Sequence, residues 1–120
     1  MTINWHPLHS EADIELIKTQ SKETPCLIFK HSTRCNLSGI AKYRLESDWD
    51  FAEDRMKAYF LDLIQHRPLS NQIADVFQVF HESPQVLLII NEECVYDASH
   101  LDISIAELKE ALDLTQANIR

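Results

Sequence analysis

The sequence predicts an α/β protein, one domain over residues 1–120, with a central mixed β-sheet flanked by helices on both faces. Three observations carry that prediction. Segments with apolar residues at helical spacing alternate with short apolar runs, the pattern of strand–helix–strand units. The last two runs, Gln85–Ile90 and Cys94–Ala98, are separated only by Asn91-Glu92-Glu93. That link is too short for a crossover, so the pair is an antiparallel hairpin and the sheet is mixed. Finally, the stretch Pro25-Cys26-Leu27-Ile28-Phe29-Lys30-His31-Ser32-Thr33-Arg34-Cys35-Asn36-Leu37-Ser38 passes from an apolar run through small polar residues to a cysteine where a helical pattern begins. Cys35 is thereby expected at a strand-to-helix junction.

The elements follow in order. A short, weak strand around Ile3-Asn4-Trp5 precedes a helix opened by Ser10-Glu11-Ala12-Asp13, a capping box with Asp where Glu usually reaches back. Leu8, Ala12, Ile14, Leu16 and Ile17 supply its apolar face through about Ser21, and Thr24-Pro25 stops it. Cys26 to Lys30 is a buried strand. From Cys35 to about Glu46, Leu37, Ile40, Ala41, Tyr43 and Leu45 recur at helical spacing. Ser47-Asp48-Trp49-Asp50 breaks that pattern, and the charges from Asp48 to Arg55 read as a solvated face. Lys57–Ile64 is rich in aromatic and branched residues and reads as a strand. After a turn at Arg67-Pro68-Leu69-Ser70, Ser70 is expected to cap a helix carrying Ile73, Ala74, Val76, Phe77 and Phe80 inward. Ser83-Pro84 ends it, Gln85–Ile90 runs through the sheet interior, and the hairpin leads to a last helix from Ser104 to Leu114 with a polar tail to Arg120.

Composition narrows the function classes. Nineteen acidic against 11 basic residues give a net charge of −8, which disfavours nucleic acid and anionic membrane surfaces as partners. The first residues carry neither a cationic nor an apolar signal region, and the run Val86–Ile90 is too short to span a bilayer. Three cysteines without framework spacing read as free thiols in a reducing compartment, so the cytoplasm is expected. A single glycine, Gly39, leaves no Gly-rich phosphate loop.

Chemistry therefore centres on Cys35. The first-turn N–H groups of a helix lack intrahelical partners and the macrodipole is positive there, which favours thiolate over thiol. Arg34 adds a neighbouring cation suited to carboxylates, or is a solvated loop-tip side chain. The hydroxyls of Thr33 and Ser38 are able to donate toward sulfur. Ser38 stands where a C-x-x-C enzyme has its second cysteine, and a hydroxyl cannot resolve a mixed disulfide. His31, at a strand end, tunes the thiolate, shuttles a proton or makes a local hydrogen bond. Cys26 reads as a small core hydrophobe, and Cys94, beside Glu92 and Glu93, as a thiol of raised pKa. The six histidines show no metal spacing with the cysteines, so no metal site is expected.

A cysteine after the second strand and a proline opening the strand before the hairpin form the layout of the thioredoxin fold. The likeness extends to motifs: Phe29-Lys30-His31-Ser32-Thr33-Arg34-Cys35-Asn36-Leu37-Ser38 resembles the active-site segment of the monothiol bacilliredoxins, YtxJ-like proteins of thioredoxin-like fold. Arg67-Pro68-Leu69-Ser70-Asn71-Gln72-Ile73-Ala74 and His81-Glu82-Ser83-Pro84-Gln85 resemble that family's second and third signatures. One departure is Asn36, where proline is expected; it adds a backbone N–H and a polar side chain beside the thiol. The resemblance implies a cytoplasmic oxidoreductase with no bound cofactor that takes bacillithiol, its co-substrate thiol, from bacillithiolated client proteins. It implies Cys35 as nucleophile and Ser83-Pro84 as a cis-prolyl loop facing it. Two rivals stand beside this reading: an iron–sulfur scaffold like the monothiol glutaredoxins, whose Gly-Phe is replaced here by Asn36-Leu37, and a non-catalytic interaction module.

Overall fold

The computed structural model describes residues 2–118; Met1 and the end of the polar tail, residues 119 and 120, lie outside the described residues. Among the described residues, five strands and four α-helices follow in the order β1 (Trp5–Pro7), α1 (Glu11–Gln20), β2 (Cys26–His31), α2 (Asn36–Asp48), β3 (Lys57–Asp62), α3 (Arg67–Phe77), β4 (Gln85–Ile90), β5 (Glu93–Ser99) and α4 (Ile105–Asn118). The sheet order is β1-β3-β2-β4-β5. β1 and β2 each pair in parallel with β3, whereas β4, although reached from β3 through α3, runs antiparallel to both β2 and β5. The mixed sheet expected from the short hairpin link is the one observed.

Every residue of β2 and β4 is buried, because both faces of these strands are covered. On one face Leu27, Phe29, Val86 and Leu88 pack with Ala41 and Leu45 of α2 and with Ile105, Leu108 and Leu112 of α4. On the other, Cys26, Ile28, Leu87 and Ile89 pack with Ile14 and Ile17 of α1 and with Ile73 and Phe77 of α3. Each large apolar side chain removed from water in this way contributes about 1.5–3 kcal/mol. The three-layer arrangement fixes where the loops emerge, and the C-terminal end of β2 opens toward α2.

Several boundaries differ from the sequence expectation. Asp13 does reach back, accepting hydrogen bonds from the backbone N–H of His9 (2.7 Å) and Ser10 (3.2 Å), so the shorter acid still closes the start of α1. α2 buries Ser38, Ala41 and Leu45 while Ile40 and Tyr43 are 51% and 63% exposed. The apolar count pointed to the wrong stripe because a serine marks the inner face. α3 begins at Arg67, not Ser70, since Pro68 in a first turn forfeits no helical hydrogen bond. Gln78, left-handed at φ 56, ends it, which sends Phe80 outward to 94% exposure. The hairpin turns on two residues, Asn91 (φ 53) and Glu92 (φ 71). Their N–H groups donate to the Ser21 carbonyl and hydroxyl, each at 2.8 Å, which ties the hairpin to the end of α1.

Lys30 is the exception in an apolar strand: fully buried, with Nζ donating to the Ser70 carbonyl at 3.3 Å. Burial, reinforced by Arg67 and partly offset by Cys94, lowers its pKa from 10.5 to about 8. Unfolded, the amine keeps its ordinary affinity, so between those values the unfolded chain binds more protons and stability rises with pH. Urea unfolding of wild type and Lys30→Met across pH 7 to 10 is expected to show the difference moving toward wild type above pH 8, by up to about 3 kcal/mol. A pH-independent difference would contradict the buried-charge account.

Candidate functional site

β2 ends at His31, and the chain crosses Ser32, Thr33 and Arg34 to reach Cys35, the N-cap residue of α2, with extended backbone (φ −112, ψ 118). A turn closed by Cys35 N–H donating to the Ser32 carbonyl (3.1 Å) places it there, and its own carbonyl accepts the Gly39 N–H (3.2 Å) to start the helix. The thiol is free and its residue partly buried. The strand-to-helix position expected from the sequence is the observed one, and no acid stands in the first turn to oppose a thiolate. Asn36 occupies the first helical position, where a backbone N–H has no intrahelical acceptor. The departure from proline thus adds one donor in the turn that carries the thiol.

Beneath this turn lies a buried polar bond. Ser38, fully buried, accepts the Ser32 N–H at 3.0 Å, and its hydroxyl lies 2.6 Å from His31 Nδ1. His31 is 6% exposed, with its ring 5.6 Å from that of Phe29 and 5.4 Å from that of Phe60. Burial pushes its pKa down, Lys42 pushes the same way, and Asp62, the Ser38 bond and Glu46 oppose them. The imidazole is therefore neutral at neutral pH. The Ser38 oxygen accepts from Ser32, and the ring tautomer sets which of Ser38 Oγ and His31 Nδ1 donates in the bond between them. Among the described residues no hydrogen bond joins the Ser38 hydroxyl to the Cys35 sulfur; the hydroxyl binds the strand end to the helix.

The cis-prolyl loop sits at the same end of the sheet. The Ser83–Pro84 bond is cis, and Gln85, the next residue, pairs with Lys30 of β2. Two groups hold this loop, the buried Gln85 and the half-buried His81. Gln85 accepts the Glu82 N–H at 3.3 Å through Oε1, and its Nε2 donates to the Phe80 carbonyl at 3.0 Å. His81 is held through Nδ1, 3.0 Å from Ser70 Oγ and 3.3 Å from Lys30 Nζ, and through Nε2, 3.1 Å from Arg67 Nη1. Burial, Lys30 and Arg67 lower the pKa of His81 against the opposing charge of Glu82. Ser83 Oγ is buried without a partner among the described residues.

Of the residues singled out in the sequence, Cys35 and Ser38 share the first turn of α2, while Thr33, Arg34 and Asn36 lie exposed around it. Arg34 forms no ion pair among the described residues. Lys30, Gln85 and His81 were missed as supports of the proline loop; the available signal was a lysine inside an otherwise apolar strand, which demands a buried partner. Cys26 and Cys94 lie at the far end. Cys26 opens β2 and Cys94 pairs with Ile89, itself opposite Cys26. Burial pushes these thiols to about 12 and about 11 respectively. No three His, Cys, Asp or Glu side chains converge as a metal group among the described residues.

A thiol at the N-cap of the helix after β2, a cis-proline preceding β4 and the strand order β1-β3-β2-β4-β5 together define a protein of the thioredoxin class. A solved thioredoxin-fold protein named for oxidoreductase activity is 31% identical, with a TM-score of 0.75 over 89% of this chain and 92% of its own. Thioredoxin from Malassezia sympodialis (11% identical, TM-score 0.71, covering 95% and 91%) and thioredoxin f from spinach chloroplast (11%, 0.70, 96% and 96%) share the fold. More particularly, residues 6–108 match the family described as monothiol bacilliredoxin BrxC, and the chain belongs to that family of thiol–disulfide oxidoreductases. The resemblance drawn from the three motifs is the relationship found.

The contrast among the thiols predicts a selective reaction. Limiting iodoacetamide at pH 7.5 is expected to modify Cys35 in the folded protein, with Cys26 and Cys94 reacting only after unfolding in urea. Peptide mapping by mass spectrometry reads the outcome, and early labelling of Cys94 would contradict it.

Proposed function

We propose that this chain removes bacillithiol from protein mixed disulfides through Cys35. The Cys35 thiolate attacks the bacillithiol sulfur, the sulfur–sulfur bond of the mixed disulfide breaks, and the client leaves as a thiolate that takes up a proton. Cys35 then carries bacillithiol as a mixed disulfide, and a second, external thiol attacks it to regenerate the enzyme. Bacillithiol is thus a co-substrate and the partners are bacillithiolated proteins. The chain acts as one domain in the cytoplasm; none of its described helices is long and apolar enough to cross a membrane.

The observation that carries this reading is the identity of residue 38. A serine whose oxygen is already engaged by His31 and Ser32 fills the place of a resolving cysteine. The remaining thiols are separated from the site by the length of β2, roughly 16 Å for five residue steps. A disulfide requires Cα atoms within about 7 Å, so neither serves as a partner without unfolding. Around Cys35, the exposed Thr33, Arg34 and Asn36 are placed to meet the small thiol, with the Arg34 fork suited to a carboxylate. Ser83 and Pro84 present backbone to the incoming chain.

The family membership and the geometry favour no rival equally. An iron–sulfur scaffold shares the single cysteine, but the Gly-Phe after it in monothiol glutaredoxins is absent here. A bacillithiolated client incubated with the protein is expected to lose bacillithiol while Cys35 gains it, and Cys35→Ser is expected to lower the rate to the uncatalysed background. Release at an undiminished rate by Cys35→Ser would overturn the proposal.

A further inference from the structure

The contacts of His81 have directions set by what each neighbour is able to donate. Its Nε2 lies 3.1 Å from Arg67 Nη1, and a guanidinium donates only. Nε2 is therefore the acceptor, and the ring proton of the neutral imidazole stands on Nδ1. That nitrogen has two neighbours, Ser70 Oγ at 3.0 Å and Lys30 Nζ at 3.3 Å. An ammonium has no lone pair with which to accept the Nδ1 proton, whereas a free amine has one. All three contacts of the ring are hydrogen bonds only when Lys30 is uncharged. With Lys30 protonated, it and Arg67 compete as donors for the single acceptor nitrogen.

This pair brackets the cis-prolyl loop. His81 stands two residues before the cis Ser83–Pro84 bond, and Lys30 pairs in register with Gln85, the residue after it. We propose that Lys30 and His81 are positioning residues for the exchange reaction, fixing the loop against which the client chain lies, and that all their contacts close only while Lys30 is a free amine. The inference rests on Ser83 and Pro84 receiving the client, as proposed above. When Lys30 takes a proton from solvent, one of the two donors facing the ring loses its acceptor, and the loop is held less firmly.

The surroundings suit an uncharged amine. Lys30 is fully buried, and its other contact is the Ser70 carbonyl at 3.3 Å. No carboxylate forms an ion pair with it among the described residues. Facing the pair are Arg67 from α3, Cys94 from β5 and Glu82 of the loop, which lies 3.4 Å from His100 Nε2. Asp97 of β5 is directed to Gln85 Nε2 at 3.5 Å, and β3 places Leu61 opposite Lys30. Burial and Arg67 favour the free amine against Cys94 and bring its midpoint to about 8.

The test is the ratio of kcat/KM for a bacillithiolated client to kcat/KM for bacillithiol disulfide, measured from pH 7 to 9. Both substrates react at Cys35, so the ionisation of its thiol cancels, and only the client has a chain to lie on the loop. In wild type the ratio is expected to rise roughly fivefold, the order of one hydrogen bond, with its midpoint at about 8. Lys30→Met is expected to keep the ratio low and flat, and adding His81→Asn to lower it no further. A purely structural role would lower both rates and leave the ratio unmoved. A flat wild-type ratio, or a rise that survives in Lys30→Met, would overturn the inference while leaving the proposed function standing; a wild type inactive on both substrates would overturn the two together. Should the variants fail to fold, the His81 ring nitrogen resonances of wild type decide. The proton is expected on Nδ1 at pH 9 and is expected to move toward Nε2 as Lys30 becomes charged; a proton on Nε2 at pH 9 would overturn the inference.

Discussion

The hydroxyl of Ser38 is the contact on which the reactive end of this fold depends. It joins the last residue of β2 to the first turn of α2 through His31, and it satisfies the N–H of Ser32 in the loop between them. A buried polar group of this kind is stabilising only while every partner is present; leaving one unpaired costs about 1–3 kcal/mol. The same bond fixes the rotation of α2, because Ser38 inward brings Ala41 and Leu45 inward and turns Ile40 and Tyr43 to solvent. Cys35 is then held at the helix start as a consequence of the packing beneath it.

A second set of polar groups, buried at Lys30 and Ser70, half-buried at His81 and exposed at Arg67, performs the corresponding task for the proline loop. Lys30, Ser70, Arg67 and His81 converge on the opposite face of β2 from His31, and Gln85 ties the loop to its own strand. Lys30 is deprived of a carboxylate partner and held instead by a carbonyl and an imidazole, which is why burial depresses its pKa so far. The two faces of one strand end thus carry two histidines, His31 under the thiol and His81 under the loop. Adjacent positions on β2, 30 and 31, alternate between them.

Much of the fold was legible because it follows from local rules. The three-residue link after Ile90 demanded a hairpin, the apolar runs demanded buried strands, and the polar break before Cys35 demanded a junction. What escaped was polar and buried. An apolar count cannot see that Ser38 marks the inner face of α2, and it takes Ile40 and Tyr43 into the apolar pattern although both are exposed. Ser70 resembles a cap by type, yet Pro68 permits the helix to start at Arg67 and Ser70 turns to His81. Phe80 was assigned to the helix because nothing in its type reveals the left-handed Gln78 before it. The place of Cys35, the proposed nucleophile, at a strand-to-helix junction was legible from its position in the chain; the groups around it depend on contacts between β2, α2 and the loops, which spacing along the sequence does not encode.

The proposed function makes this a one-cysteine centre: the place of a second thiol is occupied by the Ser38 hydroxyl, and burial raises the pKa of the other two thiols, at the far end of the sheet. The most direct measurement is the fate of the Cys35–bacillithiol adduct, prepared with bacillithiol disulfide, freed of excess reagent and followed by intact mass and peptide mapping. The adduct is expected to persist unchanged until an external thiol is added, then to disappear with return of free Cys35. Spontaneous loss of bacillithiol with formation of a Cys35–Cys26 or Cys35–Cys94 disulfide in the folded protein would contradict the account.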